Sequence, residues 1–61
     1  MDRRPFRVVF RERPSETFLA AGYEDRGTVI EFFDADIAED DTTGTRVFAR
    51  SDVLEVVELD A

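Results

Sequence analysis

Residues 28–34 read TVIEFFD and form the most apolar short run in the 61-residue chain. β-Branched residues come first and aromatic residues follow, which favours a β-strand. Turn-forming residues close the run at both ends. Alternation places Ile30 and Phe32 on one face of this strand and Val29 and Phe33 on the other. Because both faces are largely apolar, we predict a central strand that must be covered on two sides.

Four further segments predict strands on either side of this one. Each is short, carries β-branched or aromatic residues and is bounded by turn-forming residues. In the first segment, Phe6, Val8 and Phe10 fall on one face by alternation. The four segments are residues 5–11, 17–23, 45–50 and 54–59.

The second segment contains an irregularity near its end. Alternation puts Phe18 on one face and Leu19 and Tyr23 on the other. Gly22 indicates a bulge or a close approach of two backbones. Gly27 supplies the positive φ that a hairpin turn needs just before the central strand.

The last segment has two interpretations. Ser51 could cap a helix that continues through residues 54–59. Val53, Val56 and Val57 oppose this helix, because β-branched residues lower helix propensity. We therefore predict a turn or a single helical turn followed by a strand, with the helix as the alternative.

These elements predict one all-β domain over residues 1–61, a small antiparallel sheet of four to five strands. It is either an SH3-like barrel or an open meander. An open meander would need a second subunit over its other apolar face. The pairing of Glu31, inside one chain or across an interface, should distinguish the two. The apolar face that the second subunit would cover contains Val9, Leu19, Val29 and Phe33.

The composition excludes several classes of protein. The chain has no Cys and no His, so disulfides, thiolate metal sites and histidine general bases are absent. It has no P-loop and no dinucleotide fingerprint. We predict that the protein is not an enzyme and has no cofactor. No apolar run approaches the roughly 20 residues of a membrane helix, so we expect a soluble cytoplasmic protein.

The charge is strongly negative and unevenly distributed. The net charge is −7, yet residues 1–13 contain five Arg and two acids, while residues 14–61 contain three Arg and thirteen acids. Such a field repels nucleic acid backbones and attracts basic partners. All eight cations are Arg. This composition fits either a halophilic source or a GC-rich bacterium or its phage.

The order of segments resembles short uncharacterised acidic all-β proteins of halophilic archaea and actinobacteria. The resemblance covers most of the chain and implies an all-β fold and such a source. It implies no activity and no site residue. The segments that carry it are FRVVF (residues 6–10), GY (22–23), VIEFF (29–33), RVF (46–48) and SDVLEVVE (51–58).

The acidic composition of residues 34–44 predicts a long loop after the central strand. Carboxylates in a flexible loop can supply the six to eight oxygens that Ca²⁺ requires. The alternative is a solvated hairpin loop. The loop does not match an EF-hand, because Ala38 and Glu39 stand where a ligand and Gly are needed. The candidate metal ligands are Asp34, Asp36, Glu39, Asp40 and Asp41.

The arginines of the first strand are the second candidate site. Arg7 and Arg11 share a strand face and could contact phosphates or an acidic partner. Phe6 and Phe10 lie on the opposite face, so a base-stacking surface is not expected. The alternative is pairing with Glu31, Glu55 or Glu58 across strands. The candidate contact residues are Arg3, Arg4, Arg7 and Arg11.

The sequence supports two functional hypotheses, and the first rests on the two-sided apolar strands and the uneven charge. The first is a protein-interaction or assembly module, with a homodimer as one form of assembly. The second is a nucleic-acid-linked regulator, which binds through the arginine-rich strand or mimics DNA to occupy a basic partner. Direct nucleic acid binding is disfavoured by the net charge.

Overall fold

The computed structural model of the chain describes residues 2–37 and 42–59. These residues form six β-strands and one 3-10 helix, with no α-helix among them. The predicted all-β fold is confirmed. The strands are β1 (Arg4–Phe10), β2 (Glu16–Ala20), β3 (Gly22–Asp25), β4 (Val29–Ile37), β5 (Thr42–Ala49) and β6 (Val53–Glu58), and the 3-10 helix (Arg50–Asp52) precedes β6.

The strands form two antiparallel sheets of three. The first sheet has the order β2-β1-β6, and the second sheet has the order β3-β4-β5. Across the described residues the ladders do not close into a barrel. The prediction of one sheet with four to five strands is therefore wrong in the number of strands and in the number of sheets. The apolar inner faces of the two sheets pack against each other, which covers the inner side of the central strand β4.

A bend at Ala21 accounts for the extra strand. It divides the predicted strand over residues 17–23, and the Ala21 N–H donates to the Phe33 carbonyl oxygen at 2.8 Å. The chain thus passes from the edge of the first sheet to the edge of the second. Alternation restarts after the bend, so the prediction that Tyr23 shares a face with Leu19 is wrong, although Tyr23 stays 45% exposed at the sheet edge. Tyr23 lies opposite Phe32, with ring centroids 5.3 Å apart.

Two glycines frame strand β3. Gly27 has a φ of 89°, as the predicted hairpin turn requires. The Asp25 carboxylate accepts the Gly27 N–H at 2.9 Å and also contacts Arg50. The Gly27 hydrogen bond is the main cause that holds the pKa of Asp25 below its ordinary value. No atom lies within 4 Å of a Cβ placed on Gly22, so a close backbone approach there is wrong.

The predicted acidic loop over residues 34–44 is wrong as a loop. Strand β4 continues to Ile37, and β5 begins at Thr42, so most of this segment belongs to an extended hairpin. Acidic residues are depleted in strands, which is why composition favoured a loop. Cross-strand pairing between Ile37 and Thr42 overrides that local preference.

A β-bulge at Asp34 makes this extension possible. Phe32 lies opposite Arg46, but Ala35 lies opposite Gly44, so β4 carries one extra residue. Asp34 takes a φ of 50°, a left-handed conformation that Asp tolerates better than most residues. The extra residue reverses the alternation, and Ala35 is therefore fully buried.

The core lies between the two sheets and is centred on Phe32. Phe32 is fully buried and contacts four aromatic rings at centroid distances of 4.9–5.8 Å. The inward faces predicted for the first, second and central strands are confirmed. The buried side chains are Phe6, Val8, Phe10, Phe18, Ala20, Ile30, Phe32, Ala35, Phe48 and Val53.

The last segment is a strand, as predicted, and the alternative helix is wrong. The 3-10 helix supplies the expected single helical turn, and Val53 follows it into the core with 1% exposure. Arg50 fixes the turn by donating from Nη1 to the Val53 carbonyl oxygen at 3.0 Å. The Arg11 N–H donates to the Asp52 carbonyl oxygen at 2.9 Å. Strand β6 thereby returns beside β1.

We predict that Asp34 responds to substitution according to its backbone conformation. Asp34→Gly should change the free energy of unfolding by less than about 0.5 kcal/mol, because Gly adopts positive φ freely. Asp34→Val should destabilise the fold by about 1–2 kcal/mol, because a β-branched residue is strained there. Urea denaturation of both variants measures the difference. Equal effects would contradict the bulge geometry.

Candidate interaction surface

Most arginines are neutralised inside the chain. Within the described residues, six of the eight form ion pairs with Asp or Glu. The predicted pairing of Arg4 with Glu58 is confirmed at 3.1 Å. Glu31 pairs with Arg26 of the same chain rather than with a first-strand arginine. The polar residue of the central strand is therefore satisfied without a second subunit.

Arg3 connects the N-terminus to strand β4. It forms an ion pair with Asp36 and donates to the Asp34 carbonyl oxygen at 3.4 Å. Asp36, a candidate metal ligand, is thus already neutralised by a cation. The described residues contain no group of three His, Cys, Asp or Glu that could hold a metal ion. The other candidate ligands, Glu39, Asp40 and Asp41, lie outside the described residues.

Arg46 closes one end of the core and was not singled out by the sequence. Its guanidinium lies over the rings of Phe18 and Phe48, at 4.7 Å and 5.1 Å from their centroids. It also pairs with Glu16 at 3.1 Å. The signal was available, because Arg46 has the same parity as Phe48 on β5 and so shares its inward face.

Arg7 and Arg11 differ from the other arginines. Neither forms an ion pair with any of the residues that the structure describes. Arg11 donates from Nε to the Ser51 carbonyl oxygen at 2.8 Å. Arg7 is exposed and lies on β1, the middle strand of the first sheet, opposite Thr17 and Val57. Arg7 is therefore a cation held at the centre of a sheet face.

We call the outer side of the first sheet the Arg7 face. Around the exposed Arg7, the apolar members of this face are half-buried, except for Leu19, which is 39% exposed. The face combines apolar side chains with isolated charges, a pattern that suits a protein contact. Its members are Pro5, Arg7, Val9, Thr17, Leu19, Glu55, Val57 and Leu59.

One acid on this face also has no ion-pair partner. Glu55 lies opposite Val9 on the neighbouring strand and is exposed. Its carboxylate forms no ion pair within the described part of the chain. The predicted pairing of a first-strand arginine with Glu55 is therefore not present there.

Two open grooves lie at the ends of the sheets. One has a volume of about 370 Å³ and is lined by Arg11, Arg13 and four neighbours, with Arg13 3.8 Å from the centroid of the Phe10 ring. The other has a volume of about 500 Å³ and contains both the Arg3–Asp36 and the Arg46–Glu16 ion pairs. Since its charges are already paired, the second groove offers a ligand little uncompensated charge.

Comparison with known proteins identifies no relative. No family model, curated protein or solved structure matches the chain. The resemblance to acidic halophilic proteins therefore stays a prediction. Among the described residues, no helix is long and apolar enough to cross a membrane.

We predict that Arg46 stabilises the fold and that Arg7 does not. Arg46→Ala removes two aromatic contacts and an ion pair, and should lower the free energy of unfolding by about 1–2 kcal/mol. Arg7→Ala, the matched control, should change it by less than about 0.5 kcal/mol. Urea denaturation at low protein concentration compares them. Similar losses in both variants would contradict the assigned roles.

Proposed function

We propose that the protein is a non-enzymatic interaction or assembly module and that the Arg7 face is its contact surface. One observation carries this proposal. In a chain with fifteen acids, two arginines of the first strand and its end, Arg7 and Arg11, have no carboxylate partner among the described residues. An acid-rich chain could readily neutralise them, so their isolation favours an external partner.

The surroundings of Arg7 support a protein partner. Arg is enriched at interface hot spots, where apolar neighbours exclude water from its contacts. Arg7 lies opposite Val57, and Val9 is the next outward residue on its own strand. An ion pair formed there by a partner carboxylate would be partly desolvated, which strengthens it relative to an exposed pair.

Direct nucleic acid binding fits these observations less well. Phe6 and Phe10 are 0% and 4% exposed, so they offer bases no stacking platform beside the arginines. Arg3 and Arg4 already hold Asp36 and Glu58. The alternative function, a nucleic-acid-linked regulator or acidic DNA mimic, is therefore the second candidate and is an outcome of the test below.

The chain order supports an open SH3-like plan. The strand that bends at Ala21 contributes β2 to the first sheet and β3 to the second. A 3-10 helix precedes the last strand, which pairs with the first. This plan positions the surfaces but does not by itself specify a function.

Composition supports the proposed setting. The absence of Cys suits a reducing compartment such as the cytoplasm. The many carboxylates and the absence of Lys suit a halophilic source. In 1 M salt the Debye length falls to about 3 Å, so a contact there must combine short-range charge pairing with apolar contact, as the Arg7 face allows.

Site-specific photo-crosslinking tests the proposed surface. A photoreactive residue replaces Thr17, which is exposed beside Arg7, and in a control replaces Val47, which is 53% exposed on the second sheet. We expect the Thr17 probe, in an extract of the source cells, to yield a discrete protein adduct that Arg7→Ala abolishes. The Val47 probe should not yield it.

Three other outcomes are informative. A nuclease-sensitive adduct at Thr17 would favour the nucleic-acid alternative. Identical adducts from the Thr17 and Val47 probes, or none from either, would contradict the Arg7 face as the contact surface.

A further inference from the structure

Four side chains on the Arg7 face form a block of two by two. On β1, Arg7 and Val9 are successive outward residues; on β6, Val57 lies opposite Arg7 and Glu55 lies opposite Val9. The two charges therefore occupy one diagonal of the block, and the two valines occupy the other. Charge and apolar surface are arranged with a symmetry that a single sheet does not require.

The two charges do not neutralise each other. Diagonal neighbours on adjacent antiparallel strands are about 7–8 Å apart, compared with about 5 Å for residues directly opposite. No ion pair joins Arg7 to Glu55, and neither residue pairs with another charge in the described ranges. Each is a partner of the correct sign for the other and lies within reach of a long side chain, yet the two side chains form no ion pair in this structure.

We propose that this face binds a second copy of the chain through a two-fold contact; this inference rests on the proposed function and names its partner. The symmetry axis lies parallel to the sheet, along the diagonal from Val9 to Val57. Rotation about it places Arg7 over Glu55 of the second copy and Glu55 over Arg7 of the second copy. Val9 and Val57 then meet their own equivalents.

The contact pairs the two charges of the face and buries its two valines at the same time. The dimer gains two ion pairs at a cost in desolvation, and the valines gain apolar contact at the centre of the interface. Around this block, Pro5, Leu19 and Leu59 continue the apolar surface. A face of three short strands is small compared with a standard interface, so we expect a weak dimer.

Symmetry also favours this contact over one in which the basic first strand of one copy binds the acidic second sheet of another. If the basic first strand bound the acidic second sheet of another copy, the contact would be heterologous and would leave both ends open to further copies. A two-fold contact uses the same patch twice and closes at two copies. The Arg7 and Glu55 diagonal is self-complementary in this sense.

Charge reversal tests the pairing directly. Sedimentation velocity on the purified wild-type chain, up to about 1 mM, should show a monomer–dimer equilibrium. Arg7→Glu leaves acids at both charged corners, and Glu55→Arg leaves cations at both. Each variant alone should dimerise at least about tenfold more weakly, because like charges then face each other.

A mixture of the two variants is the decisive experiment, because it tests whether Arg7 and Glu55 pair between copies. An Arg7→Glu copy facing a Glu55→Arg copy restores both pairs with their signs exchanged, so an equimolar mixture should form a heterodimer. Glu24→Arg, on strand β3 of the second sheet, and Arg26→Glu, in the turn that follows β3, are the matched controls and should leave dimerisation as strong as in the wild type.

Two results would overturn the proposal. One is a wild-type chain that stays monomeric throughout the concentration range. The other is a mixture of the two variants that forms no heterodimer. The proposed function fails separately, when the Thr17 probe captures no partner of any kind. Monomeric protein with a different captured partner would therefore refute self-association and retain the interaction module.

Discussion

The packing of four aromatic rings around Phe32 is the interaction on which the structure depends. Phe32 is fully buried, and its ring centroid lies 5.6 Å from that of Phe6, 4.9 Å from Phe18, 5.3 Å from Tyr23 and 5.8 Å from Phe48. These rings come from both sheets. A chain of 61 residues has little apolar surface to bury. Its stability therefore depends on the single core that these rings centre, because there is no Cys for a disulfide.

Because the two sheets pack their inner faces against each other, their outer faces remain available for other contacts. On the second sheet, Glu31 and Glu24 both form ion pairs with Arg26 of the same chain. On the first sheet, Arg7 and Glu55 have no ion pair among the described residues. This difference between the two outer faces is the basis for placing a contact on the first.

Alternation predicted the inward faces of β1, β2 and the first half of β4, because regular strands repeat every two residues. It failed wherever the backbone departs from that period, at the bend of Ala21 and at the bulge of Asp34. Arg7 could be placed on an outer face from sequence. Its relation to Glu55 could not, because strand register depends on which distant segments pair.

The most direct measurement compares Phe32→Ala with Phe33→Ala by urea denaturation at low protein concentration. The two substitutions remove the same atoms from adjacent residues, one fully buried and one 37% exposed. Phe32→Ala should lower the free energy of unfolding by about 3–5 kcal/mol, and Phe33→Ala by about 1 kcal/mol. Equal losses, or a larger loss at Phe33, would contradict a core built on Phe32 with free outer faces.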